Sequence, residues 1–200
     1  MRTVAIIDID TTIANNEHRA DLLTRVCTKC AKPMGGKRGQ DKWPVCECGN
    51  TAYHAPPSSW EAFLHPEAVS KDTPQPHALD VINTMRKNHW YVAFMTARGE
   101  RLRDVTEEWL NTHINRQVGE PLIMRPLNKD GVPSSQMKEQ MFLDFRESRG
   151  FEHSQFLFFE DDRFVLATWQ KYGMVFLCPE AWAVMNPVVH DRLIEPSWNS

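Results

Sequence analysis

The segment TVAIID, residues 3–8, constrains the fold more than any other part of the chain. Its apolar and β-branched residues leave neither face polar, which is typical of a strand buried on both sides within a parallel sheet. From about residue 76 onward, helical patterns alternate regularly with further apolar strands. This alternation predicts βαβ units with right-handed crossovers. We therefore expect an α/β protein with a Rossmann-like, three-layer parallel sheet.

A stretch of different composition separates the first strand from this alternation. Residues 15–75 are rich in Cys, Gly, Lys and Pro and do not follow the strand–helix rhythm. We predict a core formed by residues 1–14 and 76–200, with residues 15–75 inserted after the first strand. The predicted core helices cover residues 76–89, 100–114, 134–148 and 163–173, and the predicted strands cover residues 90–95, 121–124, 155–159 and 174–178.

Composition excludes several classes of protein. The chain has 200 residues, is 42% hydrophobic and carries a net charge of -3, so no global excess of basic residues favours nucleic-acid or membrane binding. No apolar run approaches the ~20 residues that span a bilayer. The apolar opening is too short for a signal peptide and soon reaches Asp8. We therefore expect a cytoplasmic location and no membrane partner.

Charged and hydroxyl side chains cluster where the predicted strands end. Parallel strands present their carboxyl ends at one edge of the sheet, where functional groups collect in open α/β folds. We therefore expect these side chains to lie close together, with a lysine from the helix before the fourth strand. The set comprises Asp8 and Asp10, Thr96 and Arg98, Lys138, and the run Glu160, Asp161, Asp162 and Arg163.

This combination of residue types suits phosphoryl transfer. Mg²⁺ prefers oxygen ligands, so Asp8 with Asp161 or Asp162 forms a plausible metal pair. Asp8 is placed to attack phosphorus and form an aspartyl-phosphate. Asp10 is placed to protonate the leaving oxygen and later to deprotonate water. An aspartate at a strand end is by itself more often a turn or helix-cap residue, Lys138 by itself a solvated helix residue, and Arg163 by itself a local ion-pair partner. It is the joint pattern that favours the chemistry.

At these residues the chain resembles the haloacid dehalogenase (HAD) superfamily of phosphohydrolases. DIDTT is similar to its first motif, FMTARG to its second, Lys138 to its third and EDDR to its acidic fourth. The resemblance implies that Asp8 is the nucleophile and a Mg²⁺ ligand. It also implies that Asp10 is the general acid and base and offers its backbone carbonyl to the metal.

The resemblance extends to the other candidate site residues. It implies that Asp161 and Asp162 anchor the metal, whereas Thr96 and Lys138 hold the phosphate. We expect the substrate to be contacted by Thr12, Arg98 and Arg163. The sequence departs from the family pattern at Thr11, where many members carry glycine.

Within this superfamily, several segments are most similar to the phosphatase domain of bacteriophage polynucleotide kinase–phosphatases, which removes 3′-phosphates from nucleic-acid ends. They are TARGE, PLIMRP, MKEQMF and EDDRFVLATWQKYG. No G-x-x-x-x-G-K-[ST] motif is present, so no kinase activity is expected. A polynucleotide 3′-phosphatase is the leading prediction, with a 5′-nucleotidase acting on free (deoxy)nucleoside monophosphates as the alternative. A phage-encoded enzyme would act in the host cytoplasm.

Four of the five cysteines fall in a short part of the insertion. Cys27 and Cys30 are separated by two residues, and Cys46 and Cys48 by one. This spacing approximates a zinc ribbon with four thiolates around a structural Zn²⁺. Because the second pair is one residue shorter than usual, His54 is an alternative fourth ligand. Cys178 is expected to be a small core residue.

The cysteine-rich segment is also basic. An insertion at this place in the chain corresponds to the cap of HAD enzymes, so a basic zinc-binding cap could recruit a nucleotide or a nucleic-acid end. A solvated loop is an equally good interpretation. A non-catalytic zinc-ribbon module is a more remote alternative for the whole chain, and a signalling receiver domain places its acidic residues in a different order. The basic residues are Lys29, Lys32, Lys37, Arg38 and Lys42.

Overall fold

The computed structural model describes residues 2–34, 45–129 and 131–185. The chain forms two compact units. The core unit comprises Met1–Asn15 and Thr73–Ser200, and the inserted unit comprises Asn16–Asp72. Three of the predicted basic residues, Lys37, Arg38 and Lys42, lie outside the described residues.

Strands and helices are numbered here along the whole chain. A 3₁₀ turn, Glu100–Leu102, precedes the fifth helix. The strands are β1 (Thr3–Ile7), β2 (Ala14–Asn15), β3 (Arg25–Cys27), β4 (Pro33–Met34), β5 (Tyr53–His54), β6 (Thr73–Pro74), β7 (Tyr91–Gly99), β8 (Leu122–Arg125), β9 (Gln155–Glu160) and β10 (Met174–Leu177). The helices are α1 (Glu17–Ala20), α2 (Pro57–Phe63), α3 (Pro66–Val69), α4 (Ala78–Lys87), α5 (Arg103–Ile114), α6 (Ser134–Ser148), α7 (Arg163–Trp169) and α8 (Glu180–Val184).

The core unit is built on a five-stranded parallel sheet in the order β10–β9–β1–β7–β8. Helices cover both of its faces, as two adjacent residues of β9 show. Phe158 stacks on Trp169 of α7 with 4.8 Å between ring centroids, whereas Phe159 stacks on Trp182 of α8 at 4.9 Å. Successive strand residues point to opposite faces, so these two helices lie on opposite sides of the sheet. The prediction of a three-layer α/β fold is confirmed.

Strand β1 lies in the middle of the sheet, between β9 and β7. Its residues from Val4 to Ile7 are completely buried, which explains why the sequence there is apolar on both faces. Ile7 is level with Phe159 on one neighbouring strand and with Phe94 on the other. The residues that follow these positions therefore meet at one edge of the sheet, as predicted from the strand ends.

Strand β7 and helix α7 differ in length from their predicted bounds. Strand β7 continues to Gly99, and its pairing with β8 shifts between Thr96 and Gly99. Helix α7 ends at Trp169, before the predicted end at Gly173. Gly173 lies where the chain turns back onto the sheet, and a Cβ there would be 2.3 Å from the carbonyl oxygen of Phe156. Only glycine allows this close approach without a shift of the backbone.

The inserted unit contains a small antiparallel sheet in the order β4–β3–β5 and three short helices. A buried ion pair ties its two ends together, because Arg19 donates to both carboxylate oxygens of Asp72 at 2.7 Å. The guanidinium of Arg19 also lies over the ring of Phe63. None of the helices in the described part of the chain has the length and apolar character that crossing a bilayer requires.

Candidate active site

Asp8 directly follows the central strand and is the centre of the candidate site. Its side chain is almost fully buried, and both of its carboxylate oxygens have partners. Lys138 Nζ lies 2.7 Å from Oδ1, and the hydroxyl of Thr12 donates to Oδ2 at 3.1 Å. Burial raises the pKa of Asp8, against the lowering effect of the Lys138 ammonium.

Lys138 comes from α6 and bridges two buried carboxylates. Its Nζ atom lies 2.5 Å from Glu160 Oε2, in addition to its contact with Asp8. Burial alone lowers the pKa of Lys138, but the charges of the two carboxylates reverse this effect and raise it above its ordinary value. Burial raises the pKa of Glu160 well above its ordinary range. The site therefore concentrates negative charge that a single ammonium does not balance.

Three carboxylates at this edge are close enough together to hold one metal ion. One oxygen from each of Asp8, Glu160 and Asp161 lies within 4.8 Å of the others. Glu160 has no role among the predicted site residues, although the sequence places it at the end of a buried strand. The pairing of β9 beside β1 extends to Ile7 and Phe159, and Asp8 and Glu160 each come directly after these two paired residues.

Asp162 has a different structural role from its neighbour Asp161. Its carboxylate accepts a hydrogen bond from the backbone N–H of Phe164 at 2.8 Å and so caps the N-terminus of α7. Its own backbone N–H donates to Glu160 Oε1 at 3.2 Å. Arg163 is the first residue of α7 and has an exposed side chain. Among the described carboxylates, the group that could hold a metal ion contains Asp161 but not Asp162.

Asp10 is paired with Arg98 and lies outside the described carboxylate group. Arg98 Nε and Nη2 each donate to a different oxygen of Asp10 at 2.8 Å. The Arg98 side chain is completely buried, whereas that of Asp10 is 23% exposed. Thr96 supports this arrangement locally, because its hydroxyl accepts a hydrogen bond from the Arg98 backbone N–H at 3.1 Å.

A tight turn follows the two aspartates. The backbone N–H groups of Ile13 and Ala14 both donate to the carbonyl oxygen of Ile9, at 3.0 and 2.9 Å. Thr11 has a φ of +65°, in the left-handed region that favours glycine. This conformation is the physical reason why glycine suits the position. The turn is closed from α8, where Trp182 Nε1 donates to the carbonyl oxygen of Thr12 at 2.6 Å.

The four clustered cysteines come together in the inserted unit. Their sulfur atoms all lie within 4.8 Å of one another. The Cys27 and Cys48 sulfurs are 3.6 Å apart, and the Cys30 and Cys46 sulfurs 3.4 Å. The side-chain amide of Asn50, foremost among several donors, lowers the pKa of Cys27 to about 6, which favours a thiolate ligand.

Both cysteine pairs, including the short Cys46–Cys48 pair, belong to this cluster, whereas His54 lies in β5 outside it. Four sulfurs at these separations fit a tetrahedral Zn²⁺ site. The fifth cysteine, Cys178, is buried in the core unit, in agreement with its prediction as a core residue.

Two solved structures share the fold of this chain. One is the Pnkp1/Rnl/Hen1 complex, with 17% sequence identity and a TM-score of 0.53 over 88% of this chain and 46% of the matched chain. The other is the Pnkp1/Rnl/Hen1 RNA repair complex, with 15% identity and a TM-score of 0.52 over 88% and 42%. This chain therefore spans slightly less than half the length of the chains it matches.

At these identities, the likeness concerns the fold. It agrees with the α/β fold that the sequence predicts. Comparison of the sequence with protein-family models and with curated proteins yields no match.

Proposed function

We propose that the protein is a Mg²⁺-dependent phosphomonoesterase that acts through Asp8. The observation that carries this proposal is the environment of the Asp8 carboxylate. It is buried at the end of the central strand and contacts Lys138 at 2.7 Å. Two further carboxylates lie close enough to bind one metal ion together with it. A buried aspartate with a cationic neighbour and nearby metal ligands suits nucleophilic attack on an anionic phosphate.

The residues present fit a divalent cation. The buried carboxylates of Asp8 and Glu160 share the single ammonium of Lys138, an arrangement that is unfavourable without a bound cation or proton. Asp8, Glu160 and Asp161 would hold Mg²⁺, whose preferred ligands are oxygens. When bound, the ion would neutralise charge on the phosphate and the carboxylates.

The protein residues carry the reaction in two steps. In the first, an oxygen of Asp8 attacks phosphorus, the bond to the ester oxygen breaks, and Asp10 donates a proton to that oxygen. In the second, Asp10 takes a proton from water, which attacks the aspartyl-phosphate and releases inorganic phosphate. We propose that Lys138 and Thr96 help to hold the phosphate, and that Thr12 and Arg163 lie on the substrate side.

The leading substrate is a 3′-phosphate at a nucleic-acid end. Motif similarity to the phosphatase domain of polynucleotide kinase–phosphatases supports this choice. So does the shared fold with a chain of the Pnkp1/Rnl/Hen1 RNA repair complex. That protein takes part in RNA repair, and the transfer of such a role to this chain is a proposal.

The test is a substrate panel with matched phosphate positions. Release of inorganic phosphate is measured from oligonucleotides carrying a 3′- or a 5′-phosphate and from free 3′- and 5′-mononucleotides, with Mg²⁺ or with EDTA. We expect Mg²⁺-dependent release that is fastest from the 3′-phosphorylated oligonucleotide. Preference for free 5′-mononucleotides would favour the 5′-nucleotidase instead. An absence of release from every ester would refute the phosphatase.

We also propose that the inserted unit holds one structural Zn²⁺ through Cys27, Cys30, Cys46 and Cys48. The support is the mutual approach of their four sulfurs within 4.8 Å. A small unit with little core of its own gains much of its folding free energy from such a metal. Whether this unit acts as a cap that recruits the substrate stays a prediction.

A further inference from the structure

We infer that Arg98 positions Asp10 for proton transfer and does not contact the phosphate, an inference that rests on the proposed function. The resemblance to polynucleotide phosphatases implies a substrate-side arginine at this position. The structure favours a different role, because the guanidinium is buried behind the carboxylate that would exchange protons with the substrate.

The contacts of Arg98 are directed to Asp10 and to the protein interior. Nε and Nη2 each hold one oxygen of the Asp10 carboxylate at 2.8 Å, and Nη1 lies 3.4 Å from the hydroxyl of Thr106 on α5. Such a bidentate pair fixes the plane of a carboxylate as well as its position. Burying a guanidinium costs free energy unless it is paired in this way, so Asp10 and Arg98 depend on each other in the folded protein.

Exposure separates the two partners. The side chain of Asp10 is 23% exposed, whereas that of Arg98 is completely buried. A molecule that approaches from solvent therefore reaches the Asp10 carboxylate, while the guanidinium is covered. The local backbone helps to keep Arg98 in this covered position. Its N–H donates to the Thr96 hydroxyl at the point where the pairing register of β7 shifts.

This geometry has a specific consequence for the reaction. A general acid acts only when it is held within hydrogen-bonding reach of the leaving oxygen. Loss of Arg98 should therefore weaken the protonation of the leaving group more than the binding of the phosphate. The defect should be largest for an alcohol leaving group, which is a poor one, and small for a leaving group that departs as a stable anion.

The experiment uses the preferred nucleotide substrate of the wild-type enzyme and its bridging phosphorothiolate analogue, in which sulfur replaces the ester oxygen. A thiolate leaves without needing a proton, because thiols are far more acidic than alcohols. We expect Arg98→Met to lower kcat/KM about 100-fold for the oxygen ester and less than about tenfold for the sulfur ester. Arg98→Lys keeps the charge but not the bidentate geometry. The ratio of its loss on the oxygen ester to its loss on the sulfur ester should lie between those of wild type and Arg98→Met.

Two further measurements separate positioning from phosphate contact. The inhibition constant of inorganic phosphate should stay within about twofold of wild type in Arg98→Met, since the phosphate contacts remain. The double variant Asp10→Asn with Arg98→Met should be no slower than Asp10→Asn alone, because Arg98 acts through Asp10. Arg86→Met is the matched control, since Arg86 forms a similar bidentate pair with Glu120 elsewhere in the core unit. Its ratio of kcat/KM for the oxygen ester to kcat/KM for the sulfur ester should equal that of wild type.

Each result bears on one of the two proposals. Equal losses on both esters in Arg98→Met, or a large rise in the phosphate inhibition constant, would overturn the positioning role while the phosphatase assignment stands. A wild-type enzyme that releases phosphate from no ester would overturn the proposed function itself.

Discussion

The ammonium of Lys138 lies 2.7 Å from the carboxylate of Asp8, although 130 positions separate the two residues in the chain. Both side chains are buried, and Lys138 contacts Glu160 as well. One buried cation thus serves two buried acids, and Asp161 completes the group of carboxylates that could hold a metal ion. The charge balance of this site underlies the first two predictions.

Asp8→Asn should abolish turnover and keep the fold. The amide retains the size of the carboxylate and its contact with Thr12, but it is not a nucleophile towards phosphorus. We expect phosphate release to fall by at least about a thousandfold, as is found when an enzyme loses its nucleophile. The circular dichroism spectrum should match wild type.

Asp144→Asn is the matched control for this loss. Asp144 lies on the exposed face of α6 and accepts a hydrogen bond only from the neighbouring Gln140 among the contacts described. Its activity should equal that of wild type. Substantial activity in Asp8→Asn would refute the nucleophile assignment.

Lys138→Met should destabilise the protein and make its stability depend more strongly on Mg²⁺. Removal of one partner from a buried ion pair costs about 3–5 kcal/mol, because it leaves the buried carboxylates without their cation. In urea denaturation with EDTA we expect a loss of this size in the free energy of unfolding. Mg²⁺ should restore part of it, since a bound cation stabilises the folded state in proportion to its affinity.

Lys171→Met provides the comparison for Lys138→Met. The ion pair between Lys171 and Glu139 is more than half exposed at the lysine, so its loss should leave the free energy of unfolding close to that of wild type. Equal effects of the two substitutions would contradict the view that Lys138 balances the acidic cluster.

Cys30→Ser should remove the bound zinc and lower the melting temperature. Loss of one of four thiolates opens a structural site, and the folding of a small metal-dependent unit is coupled to its metal. Elemental analysis should find about one zinc per wild-type chain and much less in the variant. Cys178→Ser should keep its zinc, because Cys178 lies in the core unit outside the sulfur cluster. A wild-type protein purified without zinc, and unaffected by added zinc, would contradict this prediction.

Thr11→Gly should be more stable than Thr11→Ala. Both substitutions remove the hydroxyl, but only glycine adopts a φ of +65° without a steric penalty from Cβ. That penalty is roughly 1–2 kcal/mol, and the greater freedom of glycine in the unfolded chain offsets about 0.4–1 kcal/mol of it. We expect a net advantage of roughly 0.5–1 kcal/mol in chemical denaturation. If the alanine variant were equally stable, strain at Thr11 would be excluded.

Much of the fold could be predicted from local patterns. The both-sided apolar character of residues 3–8 predicts a central strand, and Val4 to Ile7 are indeed inaccessible. Helix α6 has its predicted bounds, Ser134–Ser148. The end of α7 could not be predicted in the same way, because the close approach of Gly173 to Phe156 depends on a strand distant in the sequence.

The candidate site, too, could be predicted only in part from the sequence. That Asp8 and Asp161 lie close together at one edge follows from strand ends in a parallel sheet, a rule that needs only the order of elements. The role of Glu160 could not be read from the sequence, because it depends on which strand lies beside β1. The pairing of Asp10 with Arg98, 88 positions away, could not be predicted from the sequence either, since any nearby cation could have paired with Asp10.

The α/β class, the central strand that leads to Asp8 and the spacing of the four cysteines could be predicted from the sequence, because they depend on local periodicity and residue chemistry. The difference between the two neighbouring aspartates became evident only in the folded chain. Asp8 faces Lys138 inside the acidic cluster, and Asp10 faces the buried guanidinium of Arg98. Partner choice of this kind depends on sheet order and register, which bring distant residues within hydrogen-bonding distance and which no local pattern encodes.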